Sequence, residues 1–207
     1  MILKKIAVGS MQANCYILGD ELTHKAIVID PGADTQKISA VLKKAGLIAE
    51  AVVNTHGHFD HIGADADFNV PVYIHKKDAD FLKDAQKNFS AWMGSPFRVN
   101  SLEVKILEDK DVLEAGGIKL TVIHTPGHTP GGICLLLKKH TPAIIFTGDT
   151  LFQGGIGRTD LPDASEEVLL DSIINKILSL PEDTIIYPGH GSESSIGIEL
   201  RQNQFLT

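Results

Sequence analysis

Histidine and aspartate side chains are concentrated in one short stretch of the chain, THGHFDH, at residues 55–61. His56 and His58 are separated by one residue, so in an extended segment their side chains point the same way. A bend after His58 then brings Asp60 and His61 to a second position. Imidazole nitrogen and carboxylate oxygen are ligands that divalent metals such as zinc bind readily. The stretch therefore predicts a metal site.

Three further candidate ligands share a local pattern, in which an apolar strand ends and a glycine precedes the ligand. They are His128, Asp149 and His190, in the segments TPGH, FTGD and YPGH. Glycine lets the chain turn sharply, and a rigid scaffold holds the following side chain at the edge of a sheet. A single histidine is usually a surface or hydrogen-bonded core residue. The cluster together with these three residues instead predicts a centre for two metal ions.

The other four histidines lack this pattern. His24 and His140 are near predicted turns, and we expect them to be solvated. His75 ends a predicted strand without a neighbouring motif. His124 lies four residues before His128 and is the alternative ligand at that position.

The bulk composition is that of an ordinary globular protein, and the length of 207 residues suits one domain. The formal net charge of −7 gives no global attraction to nucleic acid or acidic lipid. No apolar run is long enough to cross a bilayer, and the N-terminus lacks the regions of a signal peptide. We therefore expect a cytoplasmic protein without a nucleic-acid or membrane partner. The oligomeric state stays open.

The two cysteines, Cys15 and Cys134, each lie within an apolar stretch. A disulfide or a zinc thiolate usually requires close spacing or an oxidising compartment. Their surroundings predict two small, buried side chains instead.

The hydrophobic pattern of the first half predicts the elements that carry the first ligands. The runs ILKKIAV, NCYILG and KAIVID are separated by short turns and predict an antiparallel meander. A helix is expected from Asp34 to about residue 45, with Gly46 as its stop. The buried strand AEAVVNT then leads into the ligand cluster. Helices are expected near residues 64–68 and 77–86, with the strand VPVYIH between them.

The second half of the chain repeats the order of the first half, from a group of strands to a helix and then to a strand that ends in predicted metal ligands. A hairpin is predicted around Gly116 and Gly117, and the strands CLLLKK, AIIFT and TIIYP follow. A helix is expected from Ser165, whose Ser-x-Glu-Glu start resembles a cap, and another closes the chain at residues 194–204. Groups of strands flanked by helices predict an α/β fold, a four-layer αβ/βα sandwich of two mixed sheets with the helices outside.

Residues 88–100 have no clear period, although they contain Trp92, Met93, Pro96 and Phe97. Two interpretations stay open for this segment. It is either an apolar loop packed on the core or a wall of the substrate pocket.

The motifs THGHFDH, TPGHTPGG, FTGDTLF and YPGHG stand in the order of the metallo-β-lactamase superfamily, which this chain resembles along nearly its whole length. The segment GDTLFQGGIGRTDLP is similar to the glyoxalase II branch, the hydroxyacylglutathione hydrolases, and to its short bacterial relatives. The resemblance implies one domain of this fold over residues 1–207. Glyoxalase II carries a C-terminal helical domain that grips glutathione, and only 17 residues follow His190 here, so no such domain is expected.

The resemblance also implies a division of the ligands between two metal ions, with zinc expected and iron or manganese as alternatives. The first ion would be held by His56, His58 and His128. The second would be held by Asp60, His61 and His190. Asp149 would bridge the two, and Asp30 of VIDPG resembles a residue that orients the site.

The reaction implied by the resemblance is hydrolysis of a thioester of the S-lactoylglutathione type. A hydroxide that bridges the two metal ions would attack the carbonyl carbon. Asp60 would bind metal and orient the nucleophile, and the thiolate would leave without a strong general acid. Arg158 would bind a substrate carboxylate through two parallel hydrogen bonds, or it would form a structural salt bridge with Asp160.

Three alternatives remain. The segment GRTD also resembles an iron-dependent persulfide dioxygenase, which would use only His56, His128 and Asp149 on one iron. A lactonase or β-lactamase would use the same fold, although a lactamase must assist the departure of an amine. A non-catalytic binding module would be expected to have lost ligands, whereas this chain retains all of them.

Overall fold

Two six-stranded β-sheets form the centre of the protein over residues 1–99 and 103–206, the part of the chain that this computed structural model describes. The first sheet contains, in spatial order, β1 (Ile2–Val8), β2 (Ala13–Gly19), β3 (Lys25–Ile29), β4 (Ile48–Val53), β5 (Val72–His75) and β6 (Val104–Leu107). The first three strands pair antiparallel, which confirms the predicted meander. The pairs from β3 to β6 are parallel.

The second sheet contains β7 (Val112–Ala115), β8 (Ile118–His124), β9 (Ile133–Leu137), β10 (Ile144–Gly148), β13 (Ile185–Pro188) and β14 (Ser194–Ser195). A separate small hairpin joins β11 (Leu151–Phe152) to β12 (Gly155–Ile156). The hairpin of β7 and β8 turns at Gly116 and Gly117, as predicted. Only β10 and β13 pair parallel in this sheet. Both sheets are therefore mixed, which confirms the predicted sheet type.

Three clusters of buried side chains separate four layers. The cluster between the two sheets includes Tyr16, Leu120 and Phe146. A second lies between the first sheet and the helix α1 (Thr35–Lys44) and includes Ile38. A third includes Leu169 and covers the outer face of the second sheet, beneath the helices α3 (Glu166–Ser172) and α4 (Ile196–Gln202). The predicted αβ/βα sandwich is thus confirmed.

Several smaller expectations have clear outcomes. Cys15 and Cys134 are buried, as their surroundings predicted. The helix α1 ends just before Ala45, and Gly46 follows with a φ of +67°, as expected of a stop. In the part of the chain that the structure describes, no helix is long and apolar enough to cross a bilayer.

The helical segments between β4 and β6 differ from expectation. The helix α2 (Phe59–Ile62) lies within the ligand motif itself, where only a bend was expected. The helix predicted near residues 64–68 is a short 3-10 stretch, Asp65–Phe68. The helix predicted near residues 77–86 is a 3-10 helix that stops at Lys83. It stops because the Asp84 side chain accepts hydrogen bonds from the two backbone N–H groups of residues 86 and 87 and turns the chain.

The two C-terminal helices also depart from the prediction. The hydroxyl of Ser165 accepts a hydrogen bond from the backbone N–H of Val168, which confirms the predicted cap. After α3, however, the chain continues as a π-helical segment, Ile173–Ile177. The closing helix α4 begins at Ile196, because the two serines before it pair with β13 as β14.

Candidate metal centre

The predicted ligands lie where strands end. His56 and His58 follow β4, and Asp60 and His61 lie on or beside the first turn of α2. The remaining three candidates follow strands of the second sheet. They are His128 after β8, Asp149 after β10 and His190 after β13.

Glycines allow the second sheet to deliver these ligands. Gly148 has a φ of +48°, which is a conformation that favours glycine. A Cβ atom added to Gly189 would lie 2.2 Å from Oδ1 of Asp149 and 3.0 Å from Cε1 of His61. The turn before His190 therefore passes close to two other candidate ligands, and a side chain at Gly189 would displace them.

The structure brings all seven predicted ligands together. Three groups form, in each of which one ligand atom per residue lies within 4.8 Å of the others. The first group is His56, His58 and His128. The second is Asp60, His61 and His190. The third, His56, His61 and Asp149, connects the other two. The first two groups have the same members as the two ligand sets that the family resemblance implies, and the assignment of each set to a metal ion stays a prediction.

Individual distances show how closely the ligand atoms converge. Nε2 of His128 lies 3.0 Å from Nδ1 of His58 and 3.6 Å from Oδ2 of Asp149. Nε2 of His190 lies 3.7 Å from the same carboxylate oxygen and 3.3 Å from Oδ2 of Asp60. The Asp149 carboxylate thus lies within 3.7 Å of one histidine from each of the two groups.

Buried polar atoms test whether these residues fit a metal ion. Nε2 of His56, Nε2 of His61 and Oδ1 of Asp149 are buried and accept or donate no hydrogen bond among the described residues. A buried polar atom without a partner is destabilising and rare in native proteins. The three atoms point into the cluster and belong to residue types that bind divalent metals. The donor set therefore fits two cations.

Hydrogen bonds on the far side of the imidazole rings orient two of the ligands. Nδ1 of His61 lies 3.0 Å from Oδ2 of Asp30, and Nδ1 of His128 lies 2.8 Å from the backbone carbonyl oxygen of Arg158. A carbonyl oxygen can only accept, so Nδ1 of His128 carries the proton and its Nε2 is free to coordinate. Asp30 also accepts hydrogen bonds from the backbone N–H and the hydroxyl of Thr55. The orienting position that the resemblance implied for Asp30 is the one observed.

The two halves of the cluster differ in charge. Burial and the neighbouring histidines lower the pKa of His56, and burial likewise lowers the pKa of His58. Burial acts in the same direction on His61, but the carboxylates of Asp60, Asp149 and Asp30 overcome it and raise the pKa of His61 to about 10. Burial therefore favours the neutral form of His56 and His58, whereas His61 lies among carboxylates that attract cations.

Asp78 contributes to the site, although its position in the sequence did not single it out. Its Oδ2 accepts hydrogen bonds from the backbone N–H of Gly57 at 3.0 Å and from the hydroxyl of Thr129 at 2.7 Å. Its Oδ1 accepts one from the backbone N–H of Gly131 at 2.6 Å. Gly57 lies between two ligands of the first motif, and Thr129 follows a third. Asp78 thus joins the ligand loops of the two sheets.

A signal for Asp78 was present in the sequence. It precedes Phe81 and Leu82 by three and four residues, and both of these are buried. Residues that are three or four positions apart on a helix lie on the same face. The Asp78 carboxylate is therefore expected among apolar side chains, where it needs hydrogen-bond donors. Burial raises the pKa of Asp78 to about 6, while the three donated hydrogen bonds limit the rise.

The other histidines lie outside the cluster. His24 is exposed, as predicted, whereas His140 is partly buried and its Nδ1 lies 2.7 Å from the carbonyl oxygen of Pro142. His124, the alternative ligand, stacks on His75 with ring centres 4.1 Å apart. Its Nε2 lies 2.9 Å from the carbonyl oxygen of Pro130. Neither ring belongs to the three ligand groups.

A cleft of about 450 Å³ opens above the cluster. Its floor contains five of the seven predicted ligands, and most of its wall is apolar. Apolar side chains in the wall include Met11, Phe89, Trp92, Phe152, Ile156 and Leu161. The cleft therefore has the usual character of a small-molecule site, with a few polar groups surrounded by hydrophobic ones.

The loop that contains residues 88–99 fulfils both of the interpretations that its sequence left open. Phe89, Trp92 and Met93 line the cleft. Phe97 instead packs against the core between the first sheet and α1. Asn100, the last residue of the predicted loop, lies outside the described residues.

Arg158 lines the cleft, and its guanidinium forms an ion pair with Asp160. Nε and Nη2 each donate a hydrogen bond of 2.8 Å to one of the two carboxylate oxygens. The alternative that the sequence left open, a salt bridge with Asp160, is therefore the arrangement observed.

Comparison with known proteins agrees with this geometry. The family model described as "Metallo-beta-lactamase superfamily" matches residues 8–190. The chain is 38% identical over 207 residues to "Probable metallo-hydrolase YqgX" of Bacillus subtilis, with 98% of this chain and 96% of that protein covered. It is 36% identical over 211 residues to "Hydroxyacylglutathione hydrolase GloC" of Haemophilus influenzae, with 100% and 98% covered.

Two solved structures share the fold over almost the whole chain. The crystal structure of the BLEG-1 B3 metallo-beta-lactamase has a TM-score of 0.93 at 40% identity and covers 100% of both chains. The crystal structure of TTHA1623 in a di-iron-bound form has a TM-score of 0.85 at 34% identity and covers 98% of this chain and 100% of that one.

Proposed function

This chain is a metallo-hydrolase of the metallo-β-lactamase superfamily, and from that premise we propose that it hydrolyses small-molecule thioesters. The observation that carries the proposal is the cluster of seven histidine and aspartate ligands below an apolar cleft. The 36% identity to a hydroxyacylglutathione hydrolase along the whole chain supports a thioester as the substrate.

Metal ions would supply the electrophilic chemistry of this site. When bound, two divalent cations, which we propose to be zinc, would lower the pKa of a water molecule and would polarise a carbonyl oxygen. His56, His58 and His128 would hold one of them, and Asp60, His61 and His190 the other, with Asp149 between them. Asp60 is partly exposed to the cleft, so its carboxylate can also accept a hydrogen bond from the attacking water and orient it.

The lining of the cleft favours a thioester over an amide. Apart from the candidate ligands and Arg158, the described side chains that line the cleft are apolar and cannot protonate a leaving group. A thiolate leaves without protonation because thiols ionise near neutral pH, whereas an amine must acquire a proton. The residues around the cluster therefore suit thioester cleavage.

An iron-dependent persulfide dioxygenase is the second candidate. It would use His56, His128 and Asp149 on one iron. The group formed by Asp60, His61 and His190 is also complete here, and one mononuclear site would leave it without a role. The di-iron form of TTHA1623 shows that a relative binds two iron ions, so iron alone does not distinguish the candidates.

Metal content and turnover measured on the same sample test the proposal. The protein would be loaded with zinc, iron or manganese, its metal content measured, and hydrolysis followed for a panel of thioesters, lactones and β-lactams. We expect two metal ions per chain and the highest kcat/KM on a thioester. One iron per chain, with oxygen consumption on glutathione persulfide and no thioester hydrolysis, would overturn the proposal.

A further inference from the structure

The described lining of the cleft offers few cationic side chains to an anionic thiol carrier. Arg158 is the one cationic side chain among the described residues that line the cleft. The Nε and Nη2 edge of its guanidinium is occupied by Asp160, and the pair is largely exposed. Glutathione carries carboxylates at both ends, which a site usually binds through arginine or lysine. Beyond the candidate metal ligands and Arg158, the described lining of the cleft holds no charged side chain that could bind them.

Aromatic rings lead from the ligand cluster to the mouth of the cleft. The ring centre of Phe89 lies 4.9 Å from that of His58, and the ring centre of Trp92 lies 4.8 Å from that of Phe89. The side chains of Trp92 and Met93 are 61% and 54% exposed, although both are large and apolar. We call Phe89, Trp92 and Met93 the aromatic wall. It presents an apolar surface that no other part of the described chain covers.

The aromatic wall is held in place by its own loop. Phe89 has a φ of +65°, an unfavourable conformation for a bulky residue, which persists only where the surroundings enforce it. The preceding residue, Asn88, is buried, and its backbone carbonyl accepts a hydrogen bond from the N–H of Phe59 in the ligand motif. Its side-chain amide donates to the carbonyl oxygen of Phe81. These bonds fix the Phe89 ring beside His58.

We propose that the aromatic wall is a binding subsite for an uncharged, apolar group, so that the preferred substrates are thioesters of apolar thiols and not of glutathione. This inference rests on the proposed thioesterase function and specifies its substrate class. An apolar group that packs on the exposed faces of Trp92 and Met93 removes apolar surface from water, and this burial stabilises the complex. The aromatic wall itself contains no charged side chain that could pair with a carboxylate of glutathione.

Two thioesters with the same acyl group test the proposal directly. S-lactoylglutathione and the S-lactoyl thioester of benzyl mercaptan differ only in the thiol. For the metal-loaded protein we expect kcat/KM to be at least about tenfold higher for the benzyl thioester. A higher kcat/KM for the glutathione thioester would overturn the subsite while leaving thioester hydrolysis intact. Hydrolysis of neither would contradict the proposed function itself.

Substitution of Trp92 tests whether the preference for thioesters of apolar thiols depends on the aromatic wall. Trp92→Ala should lower kcat/KM for the benzyl thioester by about tenfold, mainly by raising KM, and change the glutathione thioester by less than about twofold. Trp92→Phe should restore most of the loss. Phe205→Ala is the matched control, because Phe205 is also exposed but does not line the cleft. Equal losses on both thioesters would mean that Trp92 only supports the loop, and would overturn the subsite.

Fluorescence gives a readout that needs no turnover. The chain contains one tryptophan, so its emission reports on the wall alone. The protein would be titrated with benzyl and glutathionyl thioethers, which resemble the two substrates but cannot be hydrolysed. We expect a saturable change with a dissociation constant at least about tenfold lower for the benzyl compound. The reverse order of affinity would overturn the proposal even if both thioesters were hydrolysed.

Discussion

The ligand cluster and the aromatic wall face the same cleft but are built in different ways. The ligands follow four separate strands or lie on one short helix, and four of the seven are buried. The aromatic wall belongs to a single loop, and two of its three side chains are largely exposed. Residues held at several strand ends cannot move independently of the fold, whereas exposed side chains on a loop, such as Trp92 and Met93, can change without altering the strands. The metal ligands therefore depend on the whole fold, whereas the proposed preference for apolar thiols depends on the side chains of one loop.

Removal of one ligand should have the largest effect. His58→Ala takes an imidazole from the group that it forms with His56 and His128. We expect kcat to fall by more than about a hundredfold, since even residues that only orient a ligand typically contribute 10–100-fold. Turnover and metal content of the purified variant check this.

His24→Asn is the matched control for that substitution. His24 is exposed, lies outside the ligand groups and has a φ of +58°, which asparagine tolerates. Its activity and metal content should equal those of the unaltered protein. Full activity of His58→Ala would contradict the two-metal assignment.

A methyl group placed inside the cluster should have the next largest effect. Gly189→Ala would bring a Cβ atom within 2.2 Å of Oδ1 of Asp149, so the carboxylate must move. We expect metal affinity and kcat to fall by at least about tenfold, comparable with the loss of an orienting residue. Gly155→Ala is the control, because a Cβ there meets nothing within 4 Å. Equal metal binding by the two variants would show that the cluster tolerates displacement.

Asp78 tests whether the two sheets must be joined for the cluster to work. Asn in its place offers one acceptor oxygen where the carboxylate offers two, so at least one of the three donors loses its partner. Asp78→Asn should lower kcat by about 10–100-fold and the free energy of unfolding by about 1–3 kcal/mol. Steady-state kinetics and denaturant titration measure these two effects.

Asp80→Asn provides the comparison within the same 3-10 helix. The Asp80 side chain is exposed and forms an ion pair with Lys87, at 3.3 Å. Exposed ion pairs contribute little, so this variant should be indistinguishable from the unaltered protein. If both variants behave alike, the hydrogen bonds of Asp78 do not position the ligands.

The difference between the ligand cluster and the aromatic wall also explains which residues of the site could be predicted from the sequence. Ligands such as His128 and Asp149 follow a strand and a glycine, and both signals are local, so the cluster was predictable before any contact was known. Asp78 was harder, because its three donors come from two distant loops. Its segment was predicted as a longer helix because periodicity does not record the turn that the Asp84 side chain imposes.

The wall was the least predictable part. The position of Phe89 depends on hydrogen bonds of Asn88 with residues 59 and 81, on other segments. Its positive φ has no sequence signature, because the sterically expected residue there is glycine. Aromatic composition suggested a wall or a packed loop, and only the tertiary contacts assigned Trp92 to the cleft and Phe97 to the core.

Arg158 lies at the boundary of the two regions, and its truncation should have the smallest effect. The hydrogen bond to His128 uses the backbone carbonyl oxygen of Arg158, which Arg158→Ala retains. The side chain itself is exposed and engaged with Asp160, and such pairs contribute little. We expect kcat/KM for the benzyl thioester to change by less than about twofold.

Asp160→Asn sharpens this last comparison, because it releases the guanidinium without removing it. Freed from its partner, Arg158 can bind a carboxylate through two parallel hydrogen bonds. Asp160→Asn should therefore raise kcat/KM for S-lactoylglutathione and leave the benzyl thioester unchanged. A large, selective loss on S-lactoylglutathione in Arg158→Ala would show instead that Arg158 exchanges Asp160 for substrate. The choice of thiol would then depend on a charged residue as well as on the aromatic wall.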